Sequence, residues 1–112
     1  MIKISVIDPK NPGKIAGELE AKTLAELVPT LLRETWSPSL FEGDTRSSLE
    51  FRSTGLIVLD VDEGCTIDAA KELFKDHEHL ILPTRNHQKD KNGSKSDRFR
   101  VVLPLDREVT NA

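Results

Sequence analysis

Apolar and polar residues alternate from the start of the chain. Ile2, Ile4 and Val6 stand against Lys3 and Ser5, the period of a half-buried strand. Asp8-Pro9-Lys10-Asn11-Pro12-Gly13 is a turn cluster that ends it. Residues 14–21 have no decisive period and read as a short second strand or an irregular connection. Thr23-Leu24-Ala25-Glu26 has the form of a capping box, and Leu24, Leu27, Val28, Leu31 and Leu32 follow at helical spacing to about Glu34. Pro29 inside this pattern predicts a kink or a restart. The stretch from Trp36 to Asp44 reads as a loop tied to the core by Trp36, Leu40 and Phe41. Residues 46–52 alternate as a strand with Leu49 and Phe51 on one face, and Ser53-Thr54-Gly55 turns it into a hairpin with the strand that follows.

That following strand is the centre of the pattern. Leu56-Ile57-Val58-Leu59 is a run of branched residues, expected to be buried on both faces. At its end stand Asp60 and Asp62, which the period of two sends to one face, with Val61 on the other. Glu63 and Gly64 follow, and Gly64 lets the chain turn. Thr66 is an N-cap and Asp68 an acid in the first turn of a helix, with Ile67, Ala70, Leu73 and Phe74 as its apolar stripe to about residue 75 or 76. Residues 79–84 contain Leu80-Ile81-Leu82, another buried strand, so strand, helix and strand form a βαβ unit with parallel neighbours. Residues 88–96 are a polar loop around Asn92-Gly93. From Arg98 to Leu105 a last strand sets Arg98 and Arg100 opposite Phe99 and Val101, and Pro104 predicts its end at a sheet edge. The tail from Asp106 is expected to fray.

Composition narrows the class. With 112 residues, 37% apolar and 31% charged, the chain is one globular domain, with an N-terminal αβ part over 1–54 and a motif-bearing βαββ part over 55–108. No apolar run approaches the roughly 20 residues of a membrane span, so no membrane partner is expected. The single cysteine, Cys65, excludes an internal disulfide and reads as a small residue packed beside a turn. The net charge is −3, yet residues 85–100 hold six basic residues against two acids. One anion-facing edge on an acidic surface is the implication.

Three groups fall at the ends of consecutive strands: Asp60 with Asp62, Thr84-Arg85-Asn86-His87, and Arg98 with Arg100. Ligand groups gather at strand ends in sheets of this kind. Paired carboxylates suit Mg²⁺ or Mn²⁺, hard ions that bring phosphate with them. Two arginines on one face suit bidentate phosphate contacts, and His87 can donate to phosphate or sugar. Together these residues describe a site for a metal-bound nucleoside triphosphate. His77 and His79, one residue apart at a helix end, are more simply surface histidines.

Val58-Leu59-Asp60-Val61-Asp62-Glu63-Gly64, then Leu82-Pro83-Thr84-Arg85-Asn86-His87, then Asp97-Arg98-Phe99-Arg100-Val101-Val102-Leu103-Pro104-Leu105-Asp106 resembles the archaeo-eukaryotic primase superfamily, in particular its primase-polymerase branch from phages, plasmids and mobile elements. The resemblance covers about residues 36 to 108. It implies an α/β (α+β) fold, an RRM-like primase-type sheet with helices on one face, incomplete at the C-terminus. It also implies a DNA primase or polymerase-type nucleotidyltransferase. Asp60 and Asp62 would be catalytic metal ligands, and His87 the nucleotide contact with Arg85 and Asn86 beside it. Arg98 and Arg100 would lie near the triphosphate or template, and Asp106 is the one nearby candidate for the family's third metal-binding acid. The implied cofactor is Mg²⁺ or Mn²⁺. The implied partners are nucleoside triphosphates, single-stranded or primed DNA template, and a helicase or other replication protein, in the cytoplasm of a phage-infected or plasmid-bearing prokaryotic host. The contrasting reading is a non-catalytic, reduced primase-like module that binds nucleic acid, nucleotide or a protein partner, such as a phage-encoded inhibitor. Leu59-Asp60-Val61-Asp62-Glu63-Gly64-Cys65-Thr66 also echoes the nucleophile loop of haloacid-dehalogenase-type phosphatases, but that family's later acidic pair has no counterpart here.

Overall fold

A computed structural model describes residues 1–84, 87–88, 90–91 and 94–110. The chain is an α+β fold with two antiparallel sheets, a small hairpin and two α-helices. Its contacts divide it into two units, residues 1–57 with 104–112, and residues 58–103.

In the first unit β1 (Ile2–Ile7) pairs antiparallel with β2 (Ile15–Ala21) and with β3 (Trp36–Ser37), giving the order β2-β1-β3. The undecided stretch 14–21 is thus a strand. Helix α1 (Leu24–Arg33) buries Leu24, Leu27 and Leu31, while Leu32 stays 64% exposed. The apolar stripe is therefore narrower than the sequence predicts. Pro29 lies within one continuous helix. Thr23 occupies the N-cap without a side-chain cap bond, and Glu26 Oε2 accepts instead from the Lys22 N–H at 3.0 Å.

The expected loop after α1 is two short strands. Trp36 and Ser37 pair with Val6 and Ser5, and β4 (Ser39–Phe41) pairs with the next long strand. Pro38 separates the two, lacking an N–H for continuous pairing, and its carbonyl accepts from Thr54 Oγ1 at 3.0 Å. Leu40 and Phe41 are buried, as their anchoring role requires.

Two expectations fail at residues 46–55. Residues 48–50 form a 3-10 turn, in which the Glu50 N–H donates to the Ser47 carbonyl at 3.1 Å, and Leu49 is 94% exposed. Ser47 and Ser48 favour such a turn over a strand. The predicted turn at Ser53-Thr54-Gly55 lies inside β5 (Phe51–Val61), whose hairpin partner is β4. Nor is β5 buried on both faces: Ile57 and Leu59 are 42% and 41% exposed.

The second unit holds the end of β5, then α2 (Ile67–Leu73), β6 (Leu80–Pro83), the hairpin β7 (Asp90–Lys91) and β8 (Ser94–Lys95), and the start of β9 (Phe99–Thr110). The hairpin stands where a loop was expected. The strand order β4-β5-β9-β6 corrects the parallel neighbours inferred for the βαβ unit. β9 enters between β5 and β6 and pairs antiparallel with β6, Leu80 opposite Val102 and Pro83 opposite Phe99, which makes a split βαβ. Three sequence expectations hold, namely that the Asp60, Leu80 and Phe99 strands share one sheet, that Gly64 turns (φ +87°), and that Thr66 caps α2 by accepting from the Ala69 N–H at 3.0 Å. β9 continues through Pro104 to Thr110 rather than stopping, because Pro104 lies past the last pair with β6 and no ladder bond on that side asks for its N–H. Ala70, Phe99 and Val101 form the buried cluster of this unit, with Val61, Cys65, Ile67, Phe74, Ile81 and Leu103 packed against it. Cys65 thus has the packing role expected of it.

Candidate functional site

Strand alternation builds the site. Val61, Phe99 and Val101 turn to the α2 side, so Asp60, Asp62, Arg98 and Arg100 turn to the other. The neighbouring strands then set these residues in facing pairs. Arg100 Nε donates to Asp60 Oδ1 at 2.7 Å, and Arg98 Nε lies 3.3 Å from Asp62 Oδ1. Pairing 60 with 100 and 62 with 98 is what antiparallel neighbours produce, and it makes a two-rung ladder of opposite charges. Acids and arginines assigned separately to metal and phosphate therefore meet one another.

The two rungs differ. In the Asp60–Arg100 rung both side chains are open to water, 71% and 48% exposed. In the Asp62–Arg98 rung the arginine side chain is 3% exposed and the carboxylate 61%. The acids are thus open to water, although they close a strand expected to be buried on both faces.

A bracket of backbone bonds holds Arg98. The Thr84 N–H and Oγ1 both donate to the Arg98 carbonyl, at 2.9 and 3.2 Å. The Arg98 N–H donates to His87 Nδ1 at 3.1 Å, and the His87 N–H closes a turn onto the Thr84 carbonyl at 3.0 Å. His87 is thereby fixed against the start of β9, and an accepting Nδ1 assigns the proton of the neutral ring to Nε2. Arg85 and Asn86 lie outside the described residues. His79 Nδ1 is 2.8 Å from the His77 carbonyl and its ring sits 6.1 Å from that of Phe74, in keeping with a helix-end role.

Asp97 is the residue that sequence reasoning missed. It counted as one acid in a basic segment and opened the last resembling string, but had no role of its own, yet its Oδ2 accepts from the Ile67 N–H at 2.7 Å and its Oδ1 accepts from the Gln88 amide. It ties the start of α2 to the residues before β9. The bond from Ile67 holds its carboxyl below the usual 3.8; partial burial opposes this, and the Gln88 bond and the nearby His87 assist it. Its partners are 30 and 9 residues away, so no local pattern announces them. An open cleft of about 480 Å³ lies beside it, lined among others by Gly64, Thr66, Gln88 and Ser96.

Asp106 belongs to the first unit, on β9. Among the described residues, no three of His, Cys, Asp and Glu gather into a group able to hold a metal ion. Asp60 and Asp62 are two carboxylates, fewer than such a group needs, and each already faces an arginine. No helix among the described residues is long and apolar enough to cross a membrane. No protein-family model matches the chain, and neither a curated protein nor a solved structure matches it.

Proposed function

We propose that the chain is a primase-polymerase-type nucleotidyltransferase domain whose ladder face binds Mg²⁺ or Mn²⁺ and a nucleoside triphosphate for primer or DNA synthesis. The observation that carries this reading is convergence. The Asp60/Asp62 pair, His87 and the Arg98/Arg100 pair, separated in sequence, lie together at adjoining strand ends in one unit. Arg100 offers a half-exposed guanidinium with bidentate geometry for a phosphate. His87, held through Nδ1, keeps Nε2–H as a donor toward phosphate or sugar. Buried Arg98 keeps Asp62 in place. A divalent cation held by Asp60 and Asp62 would supply charge compensation at the phosphoryl group. The test is incorporation of labelled nucleotide on primed single-stranded DNA with Mn²⁺. Activity that disappears in Asp60→Asn supports the proposal; a folded protein inactive with Mg²⁺ and Mn²⁺ overturns it.

A second reading has its own support. Each acid already has an arginine, and no third acid joins them among the described residues. These facts favour a non-catalytic module that binds nucleotide, nucleic acid or a protein partner. Saturable binding of a fluorescent triphosphate without incorporation would select it.

A further inference from the structure

The two rungs of the ladder are chemically alike and physically unlike. Arg98 is buried, and its backbone is held on both sides by Thr84 and His87. Its side chain, only 3% exposed, is packed in and has little room to swing away. Arg100 has 48% of its side chain in water, and Asp60 has 71%. Opening such an exposed pair costs little, because water solvates both charges as they part. One rung is therefore fixed and the other can open.

We infer that Asp60–Arg100 is a masking pair, in which each residue occupies the other's ligand-binding group. Arg100 covers the carboxylate that would take a divalent cation, and Asp60 covers the guanidinium that would take a polyphosphate. This rests on the nucleotide-site reading above and adds a rule of order to it. Either ligand entering alone must first part the pair, and its arrival frees the opposite group. Cation and polyphosphate thus help each other, and the coupling is reciprocal by thermodynamic necessity. Arg98 is a positioning residue in this scheme: it holds Asp62 whether the outer rung is open or closed.

Masking makes an unusual prediction, since deleting one binding residue should strengthen binding of the other ligand. Mn²⁺ binding to the full chain is followed through the paramagnetic resonance of the free aqua ion. Inorganic tripolyphosphate is followed by calorimetry in metal-free buffer, so that the two ligands never chelate each other. Arg100→Gln is expected to bind Mn²⁺ about two- to fivefold more tightly than the native chain, the range set by the strength of exposed ion pairs. Asp60→Asn is expected to bind tripolyphosphate more tightly by a similar factor. Lys75→Gln, which removes an equal charge from an exposed pair with Glu72, is expected to leave Mn²⁺ affinity unchanged. In the native chain, Mg²⁺ should move the Arg100 Nε–H resonance toward that of a solvated guanidinium, a readout that needs no variant.

Unchanged or weaker binding in Arg100→Gln and Asp60→Asn overturns the masking. A gain in Lys75→Gln equal to that in Arg100→Gln also overturns it, because net charge alone would then explain the result. If the native chain binds both ligands and the variants gain nothing, only the masking falls. If no form binds either ligand, the nucleotide-site reading falls with it.

Discussion

The second unit's sheet has two faces built from alternating residues of the same strands, and they share almost no chemistry. Toward α2 lie Val61, Phe99 and Val101, closed over by Ala70, Ile67 and Phe74. Away from it lie Asp60, Asp62, Arg98 and Arg100. Neighbouring residues on one strand thus take opposite jobs. The apolar face removes surface from water and supplies stability. The charged face contributes little to stability through its exposed rung, so its side chains can exchange partners without unfolding the unit. A site that must let go of its own ion pairs to bind a ligand is best placed where the fold does not depend on them.

The first way to break this comparison is at Phe99, which is fully buried. Phe99→Ala should lose about 3–5 kcal/mol, from lost transfer energy and the cavity left behind. Urea unfolding measures it, and a loss below about 1 kcal/mol would mean that the apolar face is not the stabilising one. The second test is Arg98, which lies on the charged face but is buried. Arg98→Ala should cost about 1–3 kcal/mol through its buried stem and its disturbed contacts. If Arg98→Ala and Arg100→Ala cost the same by denaturant titration, the difference between the rungs disappears.

Asp97 sharpens the comparison from outside both faces, since it joins the start of α2 to the approach to β9. Its carboxyl is held below the usual 3.8 in the folded chain, so the folded state prefers it ionised. That contribution is present above the ordinary carboxylate pKa and disappears as pH falls through the folded one. Asp97→Asn should therefore melt lower than the native chain at neutral pH. The two melting curves, followed by circular dichroism, should converge as the solution is acidified. A gap that stays constant to low pH would show that the carboxylate charge is not what matters.

How much of this was legible in the sequence follows the range of the forces involved. Period-two alternation put Asp60 and Asp62 on one face and Val61 on the other, and the Thr66 cap and the Gly64 turn were local signals that held. Short range also explains the errors. Leu49 looked like a strand residue because it alternates with its neighbours, but Ser47 and Ser48 turn the chain there and expose it. β9's place between β5 and β6 depends on partners about 40 residues away on β5 and about 20 away on β6, which periodicity does not encode. The site was half legible for the same reason. Residue type revealed acids, a histidine and arginines suited to metal and phosphate. Register decided that the acids and the arginines face each other.

The smallest expected effect is the most diagnostic. Arg100→Gln removes the exposed rung, and its stability should change by less than about 1 kcal/mol, since water already solvates both partners. The difference from the native chain should shrink further with added salt, because exposed charges are screened over about 10 Å at 0.1 M. Denaturant midpoints at low and high salt measure both effects. A loss of several kcal/mol, or one insensitive to salt, would mean that the Asp60–Arg100 rung supports the fold as Phe99 does. The charged face would then be a second structural face, and a pair that stabilises the unit that strongly could not open for a cation or a phosphate at low cost.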